Sequence, residues 1–151
     1  VFSDLVNILG LKWGKEFNIN DLQYGKIVIA SDMDVDGDKI CALLCLMFAN
    51  WPELFENNII CRTVSPIIIA RKGKNCKKYY KMEDFKKDEK QLKGYTFKYT
   101  KGLAGLSNEE SKEMYHEPIF HYFKLDDMSE SMFRKWFNKE DSDTRKQMLN
   151  E

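Results

Sequence analysis

The chain has 151 residues, 43% of them apolar and 32% charged, and carries 24 basic side chains against 24 acidic ones. This composition excludes the disordered and membrane classes, and no apolar run approaches the roughly 18 residues that a spanning helix needs. Zero net charge argues against a free-standing nucleic-acid binder, but the charge is unevenly placed: residues 1–70 hold five Lys/Arg against nine acids, residues 71–101 twelve against four, and residues 102–151 seven against eleven.

Residues 1–11 are apolar at positions 2, 5, 6, 8 and 9, the spacing of a short helix that Gly10 closes. No basic start or cleavage site marks a signal peptide there, and the lack of an initiator Met points to a segment of something longer. A turn region over 18–25 leads into residues 26–31 (KIVIAS), which read as a strand buried on both faces of a parallel sheet. That strand runs into Asp32-Met33-Asp34-Val35-Asp36-Gly37-Asp38, four carboxylates on alternate positions. In an extended chain residues two apart point the same way, so Asp32, Asp34 and Asp36 aim their charges at nearly one volume. Two such charges about 4 Å apart repel by roughly 4 kcal/mol at an effective dielectric near 20. The cluster therefore spreads into water, takes up protons or holds a cation. Gly37 allows a sharp turn, and Asp38 is placed to cap a helix over 40–48 that would pack through Ile40, Leu43, Leu44, Met47 and Phe48.

Pro52 sits near the start of a short helix over 52–55, and residues 57–58 turn the chain. Residues 59–65 and 67–71 read as one strand interrupted by Pro66, at an edge or a bulge. A turn over 72–75 joins it to a strand over 77–81, followed by a charged helix over 82–92 and an alternating strand over 95–100. A glycine-containing loop over 101–105 comes next, and Ser107 with Glu110 has the spacing of a capping box opening a helix through Met114. Residues 119–125 form a strand, and helices over 129–137 and 141–149 end the chain. The order of elements favours an α/β fold with a short helical tail.

The ligand chemistry narrows the cation. Cys41, Cys45, Cys61 and Cys76 contain no CxxC pair and read as reduced, mostly buried thiols of an intracellular protein; with only His116 and His121 beside them, zinc is not expected. D-x-D-x-D-G also opens a calcium EF-hand loop, but Leu43 stands where the bidentate Glu should be, and a strand precedes the motif where a helix is needed. Magnesium fits better, since it binds through one or two carboxylates and is completed by water and substrate phosphates.

The stretch Tyr24-Gly25-Lys26-Ile27-Val28-Ile29-Ala30-Ser31-Asp32-Met33-Asp34-Val35-Asp36-Gly37 resembles the second half of a TOPRIM domain in type II DNA topoisomerases. Ser65-Pro66-Ile67-Ile68 resembles the family's T-P-I-I strand, and Tyr99-Thr100-Lys101-Gly102-Leu103-Ala104-Gly105 resembles its Y-K-G-L-G loop. Phe137-Asn138-Lys139 with Asp143-Thr144-Arg145-Lys146 resembles the D-x-R-K segment before the DNA-cleaving region. Residues 48–56 (FANWPELFE) are similar to the T-even-like bacteriophage branch, in which the enzyme is divided among several polypeptides.

The resemblance implies a Rossmann-like TOPRIM domain with a mainly parallel sheet over 1–125, lacking its N-terminal Glu motif, and a helical tail over 126–151. It implies Asp32 and Asp34 as catalytic metal ligands for Mg²⁺, Asp36 as a supporting ligand, and Lys101 with Gly102 at double-stranded DNA. The nucleophilic tyrosine and the ATPase, and hence the ATP used by the holoenzyme, would lie on other subunits or domains. The setting implied is a host cytoplasm for a phage enzyme, or a nucleus for a eukaryotic one, with no membrane. Three features depart from the family: its E-G-D-S-A motif is absent and Glu16 is a poor substitute, Ala104 stands where glycine is usual, and no ATPase or tyrosine-bearing segment is present. Other TOPRIM enzymes, such as primases and nucleases, and a non-catalytic docking module that recruits partners through helices 129–149 are the alternatives.

Overall fold

The computed structural model describes residues 2–14 and 17–148. Helix α1 (Phe2–Leu9) ends as its sequence predicts: Gly10 takes φ 82°, and its N–H and that of Leu11 bond back to the carbonyls of Asn7 and Val6 at 3.1 and 2.9 Å. That is the paired closure by which a left-handed residue satisfies the last carbonyls of a helix. Val6, Leu9 and Leu11 are buried beneath it.

Strand β1 (Ile27–Ile29) leads through the acidic loop to helix α2 (Val35–Phe48), then a single turn α3 (Glu53–Glu56), then strand β2 (Ile60–Thr63). This β-α-β unit makes β1 and β2 parallel, with Ile27 opposite Ile60 and Ile29 opposite Arg62. Strand β6 (Phe120–Tyr122) closes the first sheet antiparallel to β2, giving the order β1-β2-β6. The second sheet is built from β3 (Ile68–Lys72), β4 (Asn75–Tyr79) and β5 (Thr96–Tyr99) in the order β4-β3-β5, all antiparallel. Helix α4 (Met82–Asp88) and a following 3-10 turn connect β4 to β5, α5 (Asn108–His116) precedes β6, and α6 (Ser129–Phe137) and α7 (Ser142–Met148) form the tail.

The mixed α/β class holds, but the expected mainly parallel sheet does not: among the described residues one of the four strand pairings is parallel. A parallel pair needs a crossover, and α2 with α3 is the one that joins neighbouring strands; the 72–75 turn is too short for anything but a hairpin. Pro66 also acts differently from expectation. The chain over 59–71 is two strands on two sheets, and the proline lies where the chain passes from one to the other. The Thr100 hydroxyl donates to the Pro66 carbonyl there, and its N–H bonds Ile67 O at 2.9 Å.

Two apolar cores follow from the two sheets. The larger joins Val6, Leu9, Leu11, Ile29, Phe48, Leu54 and Ile60, and the smaller joins Ile68, Ala70, Tyr79, Phe85 and Leu92. Each fully buried Leu or Ile contributes roughly 2 kcal/mol. Helix α2 meets the first core through Cys41, Cys45 and Phe48, with the expected Leu44 and Met47 packed against it, while Ile40 and Leu43 are exposed. The helix is apolar on more than one face, so periodicity alone does not select the packed one. The small residues do, because cysteine lets the helix axis approach closely. Burial pushes the Cys45 thiol up to about 12, with Cys41 adding to the effect, so the Cys45 sulfur acts as a packing group.

Candidate metal centre

The acidic loop leaves the C-terminal end of β1, where ligand sites form in α/β sheets. It does not stay extended. Asp34 is the N-cap of α2, with φ −131° and ψ 179°, and its Oδ1 accepts the Gly37 N–H at 2.8 Å. That bond turns the chain, so Val35 opens the helix and Asp36 and Asp38 fall in its first turn, where negative charge is favoured by the helix dipole. The expectation that Asp32, Asp34 and Asp36 share one side is therefore overturned. Among the described residues no three His, Cys, Asp or Glu side chains converge on a common point that could hold a metal ion. The capping role read for Asp38 belongs to Asp34.

Asp38 instead pairs with Arg62, a residue that sequence reading passed over. Arg62 projects from the middle of the first sheet, is 7% exposed, and donates from one terminal nitrogen to Asp38 and from the other to the Asp32 carbonyl. Its Nε is buried and unpartnered. Gly37 is required by this crowding, since a Cβ there would collide with the Asp32 carbonyl and touch the Arg62 guanidinium. Buried Ser31 completes the turn, its hydroxyl 3.3 Å from Gly37 O and 3.2 Å from the Cys41 sulfur.

Asp32 reaches the other way. Its Oδ1 accepts the Leu103 N–H at 2.7 Å, bringing together two motifs 71 residues apart. Gly102 is buried against the carboxylate, and a Cβ on it would overlap the Asp32 carboxyl carbon and both oxygens. Its backbone is extended (φ 172°, ψ −172°), so glycine is needed here for space and not for conformation. Lys101 is exposed beside it. Ala104 is exposed in the 3-10 turn over Leu103–Gly105, so the departure from glycine at that position leaves the close approach, made by Gly102, intact.

The loop over 101–106 is fixed at both ends. Thr100 holds its start to Pro66, and the expected capping box holds its end: the Ser107 hydroxyl accepts Glu110 N–H, and Glu110 accepts Ser107 N–H at 2.8 Å. Glu110 is itself buried and accepts Lys98 at 2.6 Å and Arg71 at 3.2 Å. Burial pushes its carboxyl up, but the Lys98, Ser107 and Arg71 hydrogen bonds outweigh that and hold it at about 2. Five of the twelve basic residues of the middle third enter ion pairs. Arg71 and Lys98 pair with Glu110, Lys77 with Asp88, Lys78 with Glu113 and Lys87 with Asp84, so that part of the charge holds elements of this fold together.

Asp32 and Asp34 each have one oxygen bonded to a backbone N–H, which leaves the other for a ligand, and Asp36 is exposed beside them. This all-oxygen set fits Mg²⁺, which needs one or two carboxylates and completes its shell with water and phosphate. It does not form an enclosing cage. Glu16 lies outside the described residues. No helix among those residues is long and apolar enough to cross a membrane.

The model of the family described as the C-terminal associated domain of TOPRIM matches residues 63–151. The DNA topoisomerase small subunit of Enterobacteria phage T4 is 30% identical over 133 residues, which cover 87% of this chain and 82% of that one. Human DNA topoisomerase 2-beta is 31% identical over 160 residues, covering 97% of this chain, and the chain spans 10% of that relative's length. A crystal structure of the Plasmodium falciparum topoisomerase II DNA-binding, cleavage and re-ligation domain superposes with a TM-score of 0.82 at 25% identity, over 97% of this chain and 21% of that one. The chain belongs to the type II DNA topoisomerase family, within which residues 63–151 form the C-terminal associated domain of TOPRIM.

Proposed function

We propose that this chain supplies the acidic half of the Mg²⁺ site of a phage-type type II DNA topoisomerase, an ATP-using enzyme that cleaves and religates double-stranded DNA. The observation that carries the reading is the junction of Asp32 with the Gly102–Leu103 backbone. A carboxylate, the start of α2 and the glycine loop come together at the C-terminal end of β1, which is an edge strand with Val28 exposed and Ile29 buried instead of the strand buried on both faces that its apolar run predicts, and Lys101 is exposed next to Gly102 in the chain. Likeness over most of the phage small subunit supports the phage-type assignment.

On this reading Asp32 and Asp34 hold the ion and Asp36 supports them, directly or through water. Mg²⁺, when bound, supplies electrostatic stabilisation of charge developing on the leaving oxygen of the phosphodiester. The chain's own part is to hold that carboxylate pair in place, and Lys101 contacts a DNA phosphate near it. The tyrosine nucleophile, the ATPase and the glutamate of the E-G-D-S-A motif come from other subunits or domains.

In the reassembled enzyme, Asp32→Ala and Asp34→Ala abolish Mg²⁺-dependent cleavage while each variant still melts cooperatively. Cleavage retained by both variants overturns the reading. The chain by itself neither nicks nor relaxes supercoiled DNA. A second reading, a docking module without catalysis, draws support from α6, whose Met132 and Trp136 remain more than a third exposed. Divalent titration separates the two: binding that depends on Asp32 supports the metal site, and no binding even with DNA and partner subunits present supports docking.

A further inference from the structure

Arg62 stands in a run, Ile60 to Ser65, that is otherwise uncharged and buried. A guanidinium there is costly unless its donors are met. Its strongest arrangement would be a two-bond fork on one carboxylate. Arg62 does not adopt it. One terminal nitrogen goes to the main-chain carbonyl of Asp32 and the other to the side chain of Asp38, and Nε is left buried without a partner. The donors are divided so that they span the loop.

The two anchor points differ in kind. Asp38 sits in the first turn of α2 and is mostly exposed, whereas the Asp32 carbonyl belongs to the residue whose carboxylate meets Leu103 N–H. Gly37 lies between them, and any side chain there would force the Asp32 carbonyl and the guanidinium apart. An unbroken series of contacts, Asp38 to Arg62 to Asp32 to Leu103, therefore ties α2, β2, the acidic loop and the glycine loop together. A single cation inside the sheet offsets part of the repulsion among the four carboxylates and fixes the peptide group from which Asp32 projects.

We propose that Arg62 is a positioning residue: it aims the Asp32 carboxylate at the Gly102–Leu103 backbone before any divalent ion binds. Its effect on catalysis rests on the metal-site reading above, but the aiming is a property of this chain alone. Residues that orient metal ligands typically change metal affinity by 10- to 100-fold when lost.

The direct probe is the Leu103 amide in ¹⁵N-labelled full chain without divalent ions, with Asp32→Ala as the reference for a lost bond. In Arg62→Gln the Leu103 resonance moves towards its Asp32→Ala position and its hydrogen exchange quickens at least tenfold, while amides in the second sheet are unchanged. Arg62→Lys restores part of the shift. In the reassembled enzyme, Arg62→Gln raises the Mg²⁺ concentration for half-maximal cleavage by about 10- to 100-fold, with a maximal rate within threefold of wild type. A folded Arg62→Gln whose Leu103 amide matches wild type overturns the proposal. If that variant does not fold, Asp38→Ala removes the exposed anchor alone, and a Leu103 shift in the same direction supports the proposal whereas an unmoved resonance overturns it. Should Asp32→Ala retain cleavage, the metal reading fails, and the Leu103 amide still decides the role of Arg62.

Discussion

Two ionic clusters in this chain are near inversions of each other. Around Arg62, one buried cation bonds a single carboxylate, Asp38, and the main-chain carbonyl of Asp32, in a loop that carries four carboxylates, two of them bonded to backbone N–H groups. Around Glu110, one buried carboxylate faces two cations, Lys98 and Arg71, and a backbone N–H, and its acceptor sites are met from all sides. The second cluster is balanced within the chain and does a structural job, pinning α5 and the end of the glycine loop to the second sheet. The first carries four carboxylates and one buried guanidinium, and its Asp34, Asp36 and Asp38 are exposed. On the proposed reading, the Asp32 cluster binds the ligand and the Glu110 cluster supports the fold.

The sharpest way to break that assignment is Gly102→Ala. The backbone there tolerates alanine, so the fold loses only the overpacking cost of about 1 to 3 kcal/mol, and the new methyl occupies the space of the Asp32 carboxylate and swings it off Leu103 N–H. A misplacement of about 1 Å at a reacting centre costs on the order of 100-fold. Cleavage by the reassembled enzyme should fall by that factor while the variant still folds and melts cooperatively. A large drop in stability with cleavage preserved would reverse the roles of the two clusters.

Glu110 should behave the opposite way. Glu110→Ala leaves Arg71 and Lys98 without their shared partner and removes half of the capping box, at a cost of roughly 2 to 3 kcal/mol, moderated because both cations are nearly half exposed. Denaturant titration reads this directly. The same carboxylate gives a pH signature. Its folded value of about 2 lies below its ordinary 4.5, so its stabilisation is complete above pH 4.5 and is lost as pH falls towards 2. Wild-type stability should decline through that window by up to roughly 3 kcal/mol from this group, and Glu110→Gln should remove that component of the decline.

The sequence made the Glu110 box visible because both its residues lie within one turn, and it made the acidic motif visible because four carboxylates on alternate positions have few uses. The geometry of the motif was hidden for a local reason. The Asp34 side chain competes with the extended backbone and wins by capping α2, a choice that alternation does not report. Arg62 was hidden for a long-range reason, since its partners lie 24 and 30 residues away. The available signal was a lone arginine in a buried run, which requires acidic partners, and the chain's largest acidic surplus is the one it reaches. The split of residues 59–71 over two sheets left no trace beyond Pro66, because both halves are apolar and β-branched.

The smallest effect separates the two tasks of Asp34. As an N-cap it contributes about 1 kcal/mol to α2 and, on the proposed reading, it also lends its second oxygen to the metal. Serine caps a helix nearly as well as aspartate but brings no charge. Asp34→Ala should lower stability by about 1 kcal/mol, and Asp34→Ser should recover all but a few tenths of it. Neither should restore Mg²⁺-dependent cleavage in the reassembled enzyme. Thermal melts set beside cleavage assays decide the matter: if serine rescues both stability and cleavage, Asp34 only starts the helix, and the metal is held by Asp32 and Asp36 without it.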